Sequence, residues 1–132
     1  MSDPSPEIQE AVRQALAAPL APLVSGQIYD RVPQGTKPPY LWLTGWQVLV
    51  DRADCLDGAE VFFDVQAVAR GPGRMPAARI AAAVVAALDG LEPVIAGHDG
   101  LQIQHNSTRY LPPDDGETTR AVITFSTLAD AT

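Results

Sequence analysis

Residues 60–70 carry the sequence feature that most restricts what this chain can fold into. Their side chains alternate in character, and the set that faces one way is Val61, Phe63, Val65, Ala67 and Ala69. A period of two places successive side chains on opposite faces of a β-strand. The segment is therefore predicted to be a half-buried strand in a sheet that has one covered face.

The partner of this strand is predicted to be the segment that precedes it. Residues 40–50 are rich in aromatic and β-branched side chains, which favour a strand, and Gly45 in their middle indicates a β-bulge or a close backbone approach. The polar segment 51–58 is too long for a two-residue turn and predicts a broad hairpin loop. A short edge strand is predicted at residues 28–32, within a turn-rich stretch.

The N-terminal segment predicts a helix. Ser5 and Pro6 resemble a helix start, because a serine oxygen can cap early backbone N–H groups and proline fits the first helical position. Apolar residues then recur at helical spacing, namely Ile8, Val12, Ala15 and Leu16. The helix is predicted to end before Pro19 or Pro22, because an internal proline removes a backbone hydrogen bond.

A second helix is predicted over residues 74–88. Alanine dominates this segment, Pro76 stands near its start, and Asp89 and Gly90 close it. Two later strands are predicted to form a second hairpin, one at 101–104 that could continue to Tyr110 and one at 121–126.

Together these elements predict an α+β fold. Two helices pack on an antiparallel sheet built from two strand hairpins, in the order helix, hairpin, helix, hairpin. A length of 132 residues predicts one domain, with its core between about residues 6 and 128.

The charge of the chain excludes several partners. Sixteen acidic residues against nine basic ones give a net charge of −7, which disfavours binding to nucleic acid or to an anionic membrane. No apolar run is long enough for a membrane span, and the first residues do not form a secretory signal. The chain is therefore expected to fold in a cytoplasm.

The candidates for catalytic or metal chemistry are few. The acidic residues Asp51, Asp54, Asp57 and Glu60 are spaced by three, unlike the alternating ligands of a calcium loop. Cys55 stands among aspartates, whereas a catalytic thiol needs a positive setting. We therefore predict no enzyme activity, no cofactor and no metal site.

Six residues are candidates for a subunit or partner interface. Trp42, Trp46 and Phe62 lie on predicted sheet faces, where either the two helices or a second subunit could cover them. Three arginines, Arg70, Arg74 and Arg79, lie close together around the start of the second helix, where their guanidinium groups could pair with carboxylates of a neighbouring subunit.

Three segments of the chain carry a family resemblance. They are residues 25–35 (SGQIYDRVPQG), residues 38–41 (PPYL) and residues 54–60 (DCLDGAE). In this order they resemble the tail-completion, or tail terminator, family of long-tailed phages and phage-derived gene transfer agents. The strand that ends at Arg70, the alanine-rich helix and the closing hairpin fit the same layout, so that the resemblance extends from Pro6 to Leu128.

The resemblance implies a structural function. Such proteins form a homo-oligomeric ring, usually a hexamer, that caps the tail tube and docks the head-tail connector or stopper protein, and they are not enzymes. It implies a place at the head-tail junction of a virion or gene transfer agent particle, after assembly in the bacterial cytoplasm. DNA would pass through the ring without specific binding.

Two other classes of function remain open. One is a different neck or tail structural protein, such as a head-completion ring or a tube subunit. The other is a small hydrolase or metal-dependent enzyme, which would depend on Cys55 or on Asp51, Asp54 and Asp57.

Overall fold

The alternating segment forms a long central strand, around which the other elements are arranged. The computed structural model describes residues 3–51, 58–99, 101–112 and 115–131. In chain order, the described elements are α1 (Ser5–Val24), β1 (Ile28–Tyr29), β2 (Tyr40–Asp51), β3 (Gly58–Arg70), α2 (Met75–Leu88), β4 (His98–Asp99), β5 (Gln104–Leu111) and β6 (Thr118–Ala131). The predicted α+β class and the order of helices and hairpins are confirmed.

The strands form one six-stranded sheet in the order β1-β2-β3-β6-β4, with β5 also paired to β6. The hairpins β2–β3 and β5–β6 lie side by side, because β3 and β6 pair along their whole length, from Gly58 opposite Asp130 to Arg70 opposite Thr118. The sheet is mixed rather than fully antiparallel, since β1 runs parallel to β2 and pairs with Leu41 and Trp42.

Both helices cover the same face of the sheet. α1 buries one residue per turn, and α2 buries a matching stripe; these residues are Ile8, Val12, Leu16, Leu20 and Val24 of α1 and Ala77, Ile80, Ala81, Val84 and Leu88 of α2. They pack on the alternate sheet residues that include Phe63, Val65 and Phe125, all fully buried. The other face of the sheet, called the open face below, is covered by neither helix.

The predicted end of α1 is wrong. The helix continues through Pro19 and Pro22 to Val24, and both prolines are exposed. Leu20 and Val24 extend the stripe of buried residues by two turns, so that their burial offsets the backbone hydrogen bonds that the prolines remove.

The predicted start of α1 also needs correction. Pro4 occupies the cap position, and the Ser5 side chain makes no capping bond. The carboxylate of Asp3 takes that role, because its Oδ1 atom accepts a hydrogen bond of 2.8 Å from the backbone N–H of Ser5.

Strand β2 contains the bulge that Gly45 indicated. The pairing with β3 shifts register between Thr44 and Gln47, and Gly45 has a φ of +69°. A side chain at this position would place its Cβ 2.7 Å from the Oδ2 atom of Asp64, so that the Asp64 carboxylate would have to move, and the positive φ also favours glycine. Both readings of the sequence, a bulge and a close approach, are confirmed.

The second helix lies where it was predicted, whereas the bounds of the last two strands differ, since β5 covers Gln104–Leu111 and does not start at Leu101. α2 begins one residue later than predicted and ends at Leu88 as expected. β6 is much longer than predicted, because its ends pair with β3 over the full length of that strand. None of the described helices is long and apolar enough to cross a membrane.

Candidate subunit interface

The open face is built from cross-strand rows of side chains. Trp42, Gln66, Val122 and Arg109 form one row across β2, β3, β6 and β5. A second row near the end of the sheet contains Leu49, Glu60 and Leu128. Residues directly opposite one another in neighbouring strands share a face, so these rows fix which side chains the open face presents.

Two of the predicted interface residues lie on this face. Trp42 is half-buried, and its Nε1–H donates a hydrogen bond of 3.0 Å to the backbone carbonyl of Asp30. Phe62 is half-buried and lies opposite Gln47 and Ser126. The structure therefore brings Trp42 and Phe62 onto one surface, although Trp42 is also held by the loop after β1.

Trp46 lies on the opposite face, because the bulge reverses the alternation of β2. Its ring stacks on Phe63 at a centroid distance of 4.8 Å, and Phe63 stacks in turn on Phe125 at 5.4 Å. His105 of β5 completes this aromatic row at 5.6 Å from Phe125. The contacts of Trp46 are those of a residue at the margin of the core.

The centre of the open face is polar. Thr124 Oγ1 donates a hydrogen bond of 2.7 Å to the carboxylate of Asp64, and Arg120 donates one of 3.4 Å to Gln66. Acidic and basic residues both occur here, since Arg109 also belongs to this face. The face therefore combines a polar middle with apolar residues toward the end that carries Leu49 and Leu128.

The three arginines, called the arginine cluster below, lie in and around the start of α2. Arg74 lies over the ring of Tyr110 at 4.9 Å, a cation–π contact, and Arg70 forms a long ion pair of 3.8 Å with Glu117. Arg79 is exposed on α2, and no carboxylate among the described residues pairs with it. Arg74 and Arg79 could therefore each form an ion pair with a carboxylate of another subunit.

Arg70 and Arg79 also border a shallow apolar groove. It lies between α1, the loop before β2 and α2, and its apolar residues are Leu23, Pro38, Pro39, Ala69, Pro76 and Ile80. The peptide bond between Pro38 and Pro39 is cis. This groove lies on the helix side of the sheet, whereas Trp42 and Phe62 lie on the open face.

The sequence did not point to the apolar residues that are most exposed on the sheet. Leu49 is 46% exposed, Val50 is 49% exposed and Leu128 is 61% exposed. The signal that could have found the first two is the absence of any charged residue between Tyr40 and Val50. Such a run in an outer strand leaves an edge without the charges that usually protect it.

The candidates for catalytic chemistry fall largely outside the described structure. Asp54, Cys55 and Asp57 lie in residues 52–57, which the described ranges do not include, and the side chain of Asp51 is likewise outside them. Within the described ranges, no three His, Cys, Asp or Glu residues come together as a metal site would require.

One carboxylate in the turn before β6 is strongly perturbed. Asp115 accepts hydrogen bonds from the backbone N–H groups of Glu117 and Thr118, at 2.9 and 2.7 Å, and from the Thr118 hydroxyl at 2.8 Å. These donors, the Glu117 N–H above all, lower the pKa of Asp115 to about 2. Its role is to shape the turn.

The fold has a close counterpart among solved structures. A chain from the virion of a native gene transfer agent (GTA) particle superimposes with a TM-score of 0.80. The two chains are 25% identical, and the match covers 91% of this chain and 92% of the other. No curated protein sequence matches this chain.

A match to a protein family, made from the sequence alone, supports the same relationship. Its model, described as tail completion protein gp17, matches residues 10–130, which is nearly the whole chain. The match includes both helices and all the strands apart from the first turn of α1 and the last residue of β6. The chain therefore belongs to the tail completion protein gp17 family.

Proposed function

We propose that this chain is a tail terminator of a phage or gene transfer agent. Six copies form a closed ring that caps the finished tail tube and joins it to the head connector. The observation that carries this proposal is the family match over residues 10–130, and the structural match to a chain of a gene transfer agent virion supports it. The protein then resides in the particle, at the head-tail junction.

The proposed function is structural. The chain acts through its surfaces, and the partners of those surfaces are further copies of itself, the tube protein and the connector or stopper protein. An assembling subunit needs surfaces that can bind a neighbour. This chain has exposed apolar residues on the sheet, and at the start of α2 it has arginines without an ion-pair partner among the described residues.

In this proposal DNA passes through the ring without being held. Each subunit carries a net charge of −7, and a ring concentrates that charge around one axis. The purified oligomer is therefore expected to show no measurable duplex binding at about 0.15 M salt, where electrostatic reach is roughly 8 Å. Placing the arginine cluster at a subunit contact keeps it out of the channel.

The arginine cluster provides a test of this arrangement. Arg74→Ala and Arg79→Ala are expected to weaken assembly, whereas Arg13→Ala is a matched control because Arg13 pairs with Glu10 of its own helix. Light scattering over a concentration series gives the oligomer size. Tight, salt-sensitive DNA binding that Arg74→Ala and Arg79→Ala abolish would place the arginines in the channel and contradict the proposal.

The decisive experiment combines the purified protein with uncapped tail tubes. Negative-stain images are expected to show a ring on one end of each tube, after which tube growth stops and heads attach. Tubes that lengthen instead would identify a tube subunit. Binding to heads without tubes would identify a head-completion protein, and a chain that stays monomeric with tubes present would refute the proposal.

A further inference from the structure

The outer edge of β2 is open over most of its length. β1 covers only Leu41 and Trp42, and no other described strand lies along this edge as far as Asp51. Beyond the bulge, residues 47–51 pair regularly with β3, and Leu49 and Val50 are exposed on opposite faces. Natural edge strands are usually protected by lysine, proline, inward charges or a bulge, and apart from the bulge at Gly45 none of these occurs in residues 40–50.

β5 forms most of the opposite edge of the sheet, and the two-residue strand β4 forms the rest beside the end of β6. Asp89 covers the start of β5, because the Oδ1 atom of Asp89 accepts a hydrogen bond of 3.0 Å from the backbone N–H of His105. After an irregularity at this point, residues 107–111 pair regularly with β6 and have no partner strand on their outer side among the described residues. This stretch ends at Leu111, which is also exposed.

The directions of these two edges are compatible. β2, β3, β6 and β5 are each antiparallel to the next, so that β2 and β5 run in opposite directions. Two subunits placed edge to edge in the same orientation therefore bring β2 of one against β5 of the other as an antiparallel pair. We infer that the subunits of the proposed ring join in this way, with a second copy of this chain as the occupant of each edge.

The two open stretches are staggered along the strands. Leu49 of β2 pairs with Glu60, which pairs with Leu128 of β6. Arg109 of β5 pairs instead with Val122 of β6, six residues before Leu128. At roughly 3.3 Å per residue this offset is about 20 Å, and four strands spaced about 4.8 Å apart are about 19 Å wide. Joining the stretches centre to centre tilts the strands by about 45°, close to the 35–45° of closed barrels.

The same register brings complementary side chains together. Arg109 is exposed, and neither it nor Glu60 has an ion-pair partner among the described residues. With Arg109 of one subunit opposite Leu49 of the next, the aliphatic part of the arginine covers the leucine. Its guanidinium group then reaches Glu60, the cross-strand neighbour of Leu49.

Charge reversal tests this contact. Glu60→Arg and Arg109→Glu are each expected to raise the protein concentration needed for half-assembly on tail tubes by at least about tenfold, or about 1.4 kcal/mol. The double variant, which restores opposite charges, is expected to recover most of the loss. Sedimentation and negative-stain counting of capped tubes provide the readout. Two single variants that assemble as the unmodified chain does would overturn the inference.

Proline substitution tests the backbone pairing directly. Leu49→Pro and Val50→Pro are made as a pair, because successive N–H groups of a strand point in opposite directions and only one of the two belongs to the β2–β3 ladder. The variant that keeps the unmodified circular dichroism spectrum is expected to lose assembly at least about tenfold. Leu128→Ser is the control, since Leu128 lies on the open face of an inner strand and serine adds no charge beside Glu60.

The outcomes separate this inference from the proposed function. If rings form normally with the proline variant but not with Leu128→Ser, the subunits dock through the open face. That result would overturn edge pairing, while the ring itself would stand. Should both proline variants unfold, the charge reversal still decides. Failure of the unmodified chain to form rings on tubes would refute the proposed function itself.

Discussion

Replacing Gly45 with alanine tests whether the bulge of β2 depends on a close approach to Asp64. The added Cβ would lie 2.7 Å from Asp64 Oδ2 and 3.0 Å from its Cγ, while the backbone keeps a φ of +69°. A left-handed conformation costs a non-glycine residue roughly 1–2 kcal/mol. The Asp64 carboxylate must also move away, which disturbs its 2.7 Å hydrogen bond from Thr124 and adds about 1–2 kcal/mol.

The expected loss in the free energy of unfolding is therefore about 2–4 kcal/mol. Urea unfolding followed by tryptophan fluorescence measures it, since Trp42 and Trp46 flank the bulge. Gly35→Ala is the matched control: Gly35 has a φ of +82° and nothing within 4 Å of an added Cβ. It is expected to lose only the conformational part, about 1–2 kcal/mol.

A double-mutant cycle isolates the clash. In an Asp64→Ser background, Gly45→Ala is expected to cost about as much as Gly35→Ala does, because the carboxylate that it meets is gone. The reasoning is refuted if Gly45→Ala and Gly35→Ala destabilise the unmodified chain equally. Equal costs would mean that the backbone conformation, and not the approach to Asp64, selects glycine.

Three further outcomes are expected. Phe63→Ala should lower the free energy of unfolding by about 3–5 kcal/mol in chemical denaturation, because Phe63 is fully buried between Trp46 and Phe125; Phe62→Ala, on the open face, should cost clearly less, and equal losses would contradict the assigned faces. Pro19→Ala should raise the midpoint of thermal unfolding, since alanine restores a helical hydrogen bond at an exposed position and gains about 1–3 kcal/mol; a lower midpoint would show that the proline shapes α1. Asp115 has a pKa lowered to about 2 from its ordinary 3.8, so its contribution to stability is complete above about pH 4 and declines as the pH falls toward 2. Asp115→Asn should make the free energy of unfolding, measured by chemical denaturation, less dependent on pH in this range. An unchanged dependence would contradict the lowered pKa of Asp115.

The fold was largely predictable because its elements have strong periods. The alternation in residues 60–70 and the alanine-rich stripe of α2 each satisfied one simple geometry, and both elements occur where the sequence placed them. The end of α1 was not predictable from local rules. Local rules count only the hydrogen bonds that Pro19 and Pro22 remove, so they predict that the helix ends there. The helix continues because Leu20 and Val24 are buried against elements that are distant in sequence.

The candidate site was only partly predictable, because face assignment depends on register. The sequence grouped Trp42 with Trp46, which are four residues apart and would share a face in a regular strand. The bulge at Gly45 adds one residue, and a shift of one residue moves all later side chains to the other face. Gly45 alone indicated that a bulge could occur, but it did not show at which residue the alternation of side chains would reverse.

The bulge also links the fold of the subunit to its proposed assembly. Before it, β2 is held on both edges, by β1 at Leu41 and Trp42 and by β3. After it, β2 is held on one edge only, and the reversed alternation places Leu49 beside Glu60 on the open face while Trp46 anchors the strand in the core. An open edge strand with exposed Leu49 and Val50 is a liability in a free monomer, but in the proposed ring it is a pre-ordered surface. In the proposed ring, pairing with a second subunit would cover this edge.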